Sequence, residues 1–340
     1  MKLPVTLLLA LAALSAPARA QNAAPPAPPE NKPATQPATQ PATQPATKPE
    51  AKATPTEKVY DESADAGKQI DAALAKAAKE NQRVLIQWGG NWCPWCIKLH
   101  AAFKNDKAIA RELMYEYIVV NVDIGRFNKN LELAEKYRAD FKSGVPYLTL
   151  LDAKGQVVVN QETGSLESKE PGKSEHDTKA VLEFLKKHRA EPVAAGNALD
   201  HALSRARAEN KRVFLHFGAP WCGWCHKLEA WMARPEVADL FAKDFVDLKI
   251  DTDRMTGGED FLKKFNPKAG TPEGGGIPWI AILNPDGSVV VDSNGPKGNT
   301  GFPAAEEEIA HFATMLGKSA KNLSAEEQKR VVDSLRREGK

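Results

Sequence analysis

The residues with the plainest chemical potential are four cysteines, the only ones in a chain of 340 residues. They form two pairs of identical spacing, within Trp92-Cys93-Pro94-Trp95-Cys96 and Trp221-Cys222-Gly223-Trp224-Cys225. Two cysteines separated by two residues at the start of a helix can close or open a tight disulfide with little backbone movement. The outer sulfur then sits at the positive end of the helix, which favours thiolate over thiol and makes that sulfur a nucleophile. Four thiolates could also hold zinc. These pairs, however, lie 129 positions apart, each inside its own copy of a repeat, whereas zinc-ribbon pairs lie some tens of residues apart. A third reading is inert structural disulfides, but a loop this short stabilises little when closed. Redox chemistry is therefore the expectation, with no metal and no other cofactor.

The repeat is visible residue by residue. Sliding the chain by 129 positions lays Glu80 to Ala101 over Glu209 to Ala230 with 12 of 22 positions identical. The register returns later, pairing Val145-Pro146 with Ile277-Pro278 and Gly155-Gln156-Val157 with Gly287-Ser288-Val289. Two copies of one unit account for this pattern.

Each copy supplies elements able to present its cysteines. In the first, a helical pattern from Lys68 ends at Asn81, and Arg83 to Trp88 has the continuous apolar centre of a buried strand. Gly89 and Gly90 turn the chain into a helix from Cys93. Helix Ala108 to Tyr115, strand Ile118 to Val122 and helix Leu131 to Tyr137 follow. Then come Pro146, strands Tyr147 to Leu151 and Gln156 to Val159, and helix Lys179 to His188. A proline opening a strand after a loop is a candidate for the cis isomer. The second copy repeats the order: helix Asn197 to Glu209, strand Arg212 to Phe217, helix from Cys222, strand Phe245 to Ile250 and helix Glu259 to Phe265. Its strands Trp279 to Leu283 and Ser288 to Val291 precede a helix from Ala304 to Leu316. The expected class is α/β, two tandem domains, each a mixed central sheet with helices on both faces. Residues 58–190 make the first domain, 191–317 the second, and 318–340 a C-terminal helix opened by a Ser324–Glu327 capping box.

The remaining chain reads as address and spacer. Residues 1–20 hold Lys2, an apolar run from Val5 to Leu14 and Ala18-Arg19-Ala20, the pattern of a secretory signal peptide. Export to a periplasmic or extracellular compartment, where disulfides persist, is the expectation. No run is long enough to make an integral membrane segment. Residues 21–57 repeat Pro-Ala-Thr-Gln and lack side chains to build a core, so they read as a disordered linker. A net charge of +2 without long charged blocks gives no support to a nucleic-acid partner.

A strand, Trp-Cys-x-x-Cys opening a helix, and a later hydrophobic residue with Pro before the next strand together resemble the thioredoxin family. The resemblance covers Lys68 to about Arg189 and Ala195 to about Leu316, in the form seen in thioredoxin-like domains of exported bacterial proteins. It implies that Cys93 and Cys222 attack, that Cys96 and Cys225 resolve, and that Pro146 and Pro278 are cis-prolines holding substrate backbone. The implied activity is thiol-disulfide exchange on protein disulfides or thiols, with a separate membrane or soluble redox partner to recharge the sites. The alternative is a non-catalytic binding or chaperone-like scaffold of the same fold. Two departures stand out: Gln87 and His216 occupy the place of thioredoxin's buried aspartate, and Trp95 and Trp224 that of its proline between the cysteines. Trp92, Trp95, Trp221, Trp224 and Trp279 are expected to form apolar lips for polypeptide, and Trp88 and Trp231 to be core. Lys98 and Lys227 are expected as exposed lysines that a helix could turn toward the sites, His226 could stabilise a thiolate when charged, and His216 is expected as a hydrogen-bonded core histidine; the loop Asn266 to Gly276 is expected beside Pro278, as a substrate-selecting or a plain loop.

Overall fold

A computed structural model describes residues 58–337. The expected signal peptide and linker lie outside the described residues. The first helix, α1 (Ala66–Glu80), is capped by Asp65, whose carboxylate accepts the Lys68 amide at 3.0 Å. It stops at Asn81, which adopts a left-handed φ of 51°. Asparagine tolerates that conformation better than most residues, and it turns the chain straight into β1 (Arg83–Gly89). The first half continues with α2 (Pro94–Asn105), α3 (Lys107–Glu116), β2 (Tyr117–Asp123), α4 (Leu131–Lys136), β3 (Tyr147–Leu151), β4 (Val157–Glu162) and α5 (Thr178–Lys187).

In the second half α6 (Ala195–Ala208) leads through Asn210, again at φ 51°, into β5 (Arg212–Gly218). Then follow α7 (Gly223–Met232), α8 (Pro235–Asp244), β6 (Phe245–Asp251), α9 (Gly258–Phe265), β7 (Trp279–Leu283) and β8 (Val289–Asp292). A short hairpin of β9 (Asn294–Gly295) and β10 (Gly298–Asn299) precedes α10 (Glu306–Ser319) and α11 (Ala325–Arg336). The sequence reading passed over α8 and this hairpin. Pro235 at the first turn of α8, with Val237, Leu240 and Phe241 buried behind it, was the signal for the helix.

Two four-stranded sheets of the same order result, β2-β1-β3-β4 and β6-β5-β7-β8, as the fold-class expectation had it. In each, the central strand pairs parallel with one neighbour and antiparallel with the other. Strand alternation fixes which side chains lie beneath the cysteine helix. Val84, Ile86 and Trp88 pack with α1, whereas Leu85 packs with Leu99 and Phe103 of α2. Gln87 shares the parity of Leu85 and is fully buried. In the second half Phe214 takes the place of Leu85, and His216 that of Gln87.

The C-terminal helix α11 completes the second half, with Val331, Val332 and Leu335 in the same cluster as Trp231. The Trp231 indole donates to Ser334 at 2.8 Å. The buried Asp244 carboxylate accepts the amides of Lys321, Asn322 and Leu323 at 2.8–3.0 Å, tying down the turn between α10 and α11.

Candidate functional site

Each cysteine pair is closed as a disulfide at the N-terminus of its helix. Cys93 caps α2 and Cys222 caps α7, and each Sγ accepts the amide N–H of the second cysteine at 3.1 Å. An amide aimed at that sulfur, added to the helix dipole, would stabilise a thiolate there once the disulfide opens. Across from each pair, the peptides Val145–Pro146 and Ile277–Pro278 are cis. The Val145 carbonyl oxygen lies 3.5 Å from Cys93 Sγ, and that of Ile277 3.6 Å from Cys222 Sγ. Beyond Pro278, the Asn299 amide donates to the carbonyls of Gly276 and Pro278 at 2.7 and 3.0 Å, so the end of the loop Asn266 to Gly276 borders this site.

The surroundings of the two disulfides differ. Around the first, Trp92 donates its indole N–H to the Gly125 carbonyl, packs on Phe127 at 5.7 Å and lies under the Arg126 guanidinium at 4.9 Å. Trp95 meets the buried His176 ring edge-on at 5.3 Å, and Lys98 lies over it at 4.7 Å while donating to Ser174. Burial, with Lys98 as a second cause, pushes the His176 imidazolium down to about 4, and neither ring nitrogen has a hydrogen-bond partner. Around the second disulfide, by contrast, Trp221 is 60% and Trp224 53% exposed. Trp224 stacks on Phe302 at 6.3 Å under Lys227, and His226 turns to the Pro220 carbonyl at 2.8 Å. Trp279 does not join this lip. It is fully buried, because its register partner is Phe217 on the α6 side of the sheet. Trp88 and Trp231 are core, as expected.

Beneath the second cysteine of each pair the two halves differ again. Gln87 donates to the Cys96 carbonyl at 3.0 Å and to the Tyr60 hydroxyl at 2.7 Å. Tyr60 is fully buried, clusters with both cysteines, and has its phenol pushed up by burial. A Cβ on Gly89 would stand 2.5 Å from Cys96 Sγ and 2.6 Å from the Tyr60 oxygen, so only glycine lets these atoms share the space. In the second half His216 pairs with Asp247 at 3.0 Å. Burial alone would raise the Asp247 carboxyl, but His216 together with Lys79 and Lys249 outweighs it and the net shift is downward. Lys249, the register partner of His216, forms ion pairs with Glu229 and Glu80 at 2.8 and 2.6 Å.

Sequence reasoning missed Tyr60, Lys249, Glu229 and Glu80. Glu80 was legible only as one of the repeated positions, and its counterpart Glu209 pairs with Lys211 and Arg205 instead. The ion pair from Glu80 to Lys249 joins the two halves, as do three contacts from Arg254: to the carbonyls of Glu80 and Asn81 and to Glu116. Among the described residues, no cluster of His, Cys, Asp and Glu has the makings of a metal site, and no helix is long and apolar enough to cross a membrane.

Residues 65–153 match a family model described as thioredoxin-like, and residues 175–337 one described as a protein of unknown function, DUF255. Spermatogenesis-associated protein 20 of Homo sapiens is 30% identical over 161 residues, which cover 45% of this chain and 19% of that protein. The chain thus spans about a fifth of the length of the first curated relatives it matches. Protein disulfide-isomerase erp38 of Neurospora crassa is 28% identical over 278 residues, covering 76% of this chain and 71% of the relative. Among solved structures, a disulphide isomerase from Xylella fastidiosa Temecula1 is 28% identical with a TM-score of 0.34, covering 38% of this chain and 95% of that one.

Proposed function

We propose that this chain, which belongs to the thioredoxin-like superfamily, is a thiol-disulfide oxidoreductase that acts on protein disulfides or thiols through both cysteine pairs. One observation carries the reading: each first cysteine caps its helix, receives an amide N–H on sulfur at 3.1 Å, and faces a cis-proline loop. The thiolate of Cys93 or Cys222 attacks a substrate disulfide and forms a mixed disulfide. Cys96 or Cys225 then attacks that bond and releases the reduced substrate, leaving the pair oxidised. A donor or acceptor other than this chain returns the pair to its starting state. Pro146 and Pro278, with the exposed Trp221 and Trp224, hold the substrate segment against the sulfur. The apolar run Val5 to Leu14 supports export before this chemistry takes place.

The test is reduction of insulin by dithiothreitol, catalysed by the wild-type chain and by Cys93→Ser, Cys222→Ser and double variants. Each single variant is expected to lose one site's share and the double variant all acceleration. Acceleration that survives in the double variant would overturn this reading; no acceleration even by the wild type would leave the scaffold reading, which the exposed Trp221 and Trp224 favour as a hold for polypeptide without turnover.

A further inference from the structure

Under the second disulfide the two halves of the chain meet in a charged cluster. Lys249 on β6 stands between Glu229, on the helix that Cys222 opens, and Glu80, the last residue of α1 in the first half. Its ammonium lies 2.8 Å from the first and 2.6 Å from the second, and all three side chains are 13–15% exposed. The point where a Cβ on Gly218 would stand is 3.4 Å from Cys225 Sγ and 3.6 Å from Lys249 Cε, so the lysine arm shares the space beneath the sulfur. A cavity of about 290 Å³ opens beside it, walled by Glu80, Gln82 and Met114 from the first half and by His226, Glu229 and Lys249 from the second. Lys76, Asp251 and Arg254 are the other charged groups on its wall. In the first half the register pair equivalent to His216 and Lys249 is Gln87 and Asn121, both neutral.

Burial alone would lower the Lys249 ammonium, but Glu229 and Glu80 outweigh it and raise it, so the lysine stays charged. One ammonium between two carboxylates is net negative, and a buried negative charge beside sulfur disfavours a thiolate. How much positive field reaches the sulfurs therefore depends on how many carboxylates share the lysine.

We propose that Glu80 is a positioning residue for the second cysteine pair: by sharing Lys249 with Glu229, it lets the first half of the chain set the redox poise of the second. The proposal rests on the thiol-disulfide reading above. When dithiothreitol reduces this pair, the Cys222–Cys225 bond breaks and a cyclic disulfide forms in the reagent. Two electrons pass to the cysteine sulfurs; one sulfur takes a proton, and the other remains thiolate, its proton going to water. A field that favours the thiolate pulls this equilibrium toward the reduced pair. With Glu80 neutral, Lys249 answers to one carboxylate and more of its charge acts on sulfur.

The experiment is Glu80→Gln in the full chain, equilibrated against mixtures of reduced and oxidised dithiothreitol, acid-quenched, alkylated and read for each pair by peptide mass. The equilibrium constant for reducing the second pair is expected to rise about threefold or more, with the first pair unmoved. Glu116→Gln makes the same charge change between the same two halves, but on Arg254 at 3.1 Å, and is expected to shift neither pair. An unmoved second pair in Glu80→Gln overturns the proposal. So does an equal shift in Glu116→Gln, which would assign the effect to loosened packing between the halves. Failure of the underlying reading looks different: the wild-type second pair would then stay oxidised in every mixture, and the proposal would fall with it.

Discussion

The Tyr115 hydroxyl and the Trp221 indole N–H end on the same oxygen of Asp253, at 2.8 and 3.0 Å. Tyr115 lies near the end of α3, beside the edge where β1 and β2 begin, whereas the first disulfide lies where β1 ends. Trp221 directly precedes Cys222. The second disulfide therefore adjoins the end of the first sheet opposite the first disulfide. Seven residues of β1 at about 3.3 Å each put roughly 20 Å of sheet between the two ends.

Direct exchange between the pairs of one chain is therefore not expected. Partly reduced protein, quenched and alkylated over time, should redistribute thiols between the pairs at a rate proportional to protein concentration. A concentration-independent rate would mean that the two disulfides meet within one molecule.

Tyr60 leads to a prediction confined to the first pair. Its oxygen accepts from Gln87 at 2.7 Å and borders, with Cys96 Sγ, the space that Gly89 keeps open, so its own proton can turn toward that sulfur. A hydroxyl donated to sulfur favours a thiolate over a thiol, and the phenol, pushed up by burial, remains a donor at neutral pH. Tyr60→Phe should make the first pair harder to reduce, its equilibrium constant falling by about threefold or more, with the second pair unaltered. Equal behaviour of the variant and the wild type would show that the hydroxyl serves only to satisfy Gln87.

His176 makes stability depend on acid. Its imidazolium is held down to about 4 in the fold by burial and then by Lys98, against 6.5 when free. The folded form thus binds fewer protons than the unfolded one between those values. The stability that neutral His176 permits is complete above about pH 6.5 and is lost as pH falls toward 4, by up to about 3 kcal/mol. His176→Phe keeps the edge-on contact with Trp95 and removes the proton site. Urea unfolding across this range should show a flatter profile for that variant, and parallel profiles would remove His176 as the source.

What could be read from the sequence was local. The cysteines, the prolines and the asparagines that stop α1 and α6 each announce their backbone role by type and near neighbours, so two sheets of one topology were within reach. Lys249 with Glu80 was not, because a contact 169 positions apart depends on how two sheets dock and no periodicity encodes that. Tyr60 was hidden for the same reason, its partner Gln87 being set by strand parity and its own place by the path of an irregular segment. Trp279 was misplaced on the lip although parity could have corrected it: as the partner of Phe217 it had to face α6.

The tryptophans finally separate the two sites by accessibility. Trp92 is pinned by Gly125, Phe127 and Arg126, so Trp92→Ala should lose packing and a hydrogen bond together and destabilise the fold by about 1–3 kcal/mol. Trp224 is 53% exposed, with Phe302 and Lys227 against its ring, so Trp224→Ala should stay within about 1 kcal/mol of the wild type. Under the proposed function its ring would supply apolar surface to a polypeptide but nothing to a small disulfide. In a chain whose first pair is replaced by serine, Trp224→Ala should therefore raise KM severalfold for reduction of an unfolded protein and leave turnover of hydroxyethyl disulfide unchanged. A loss of the same size on both substrates would instead place Trp224 in the upkeep of the disulfide itself.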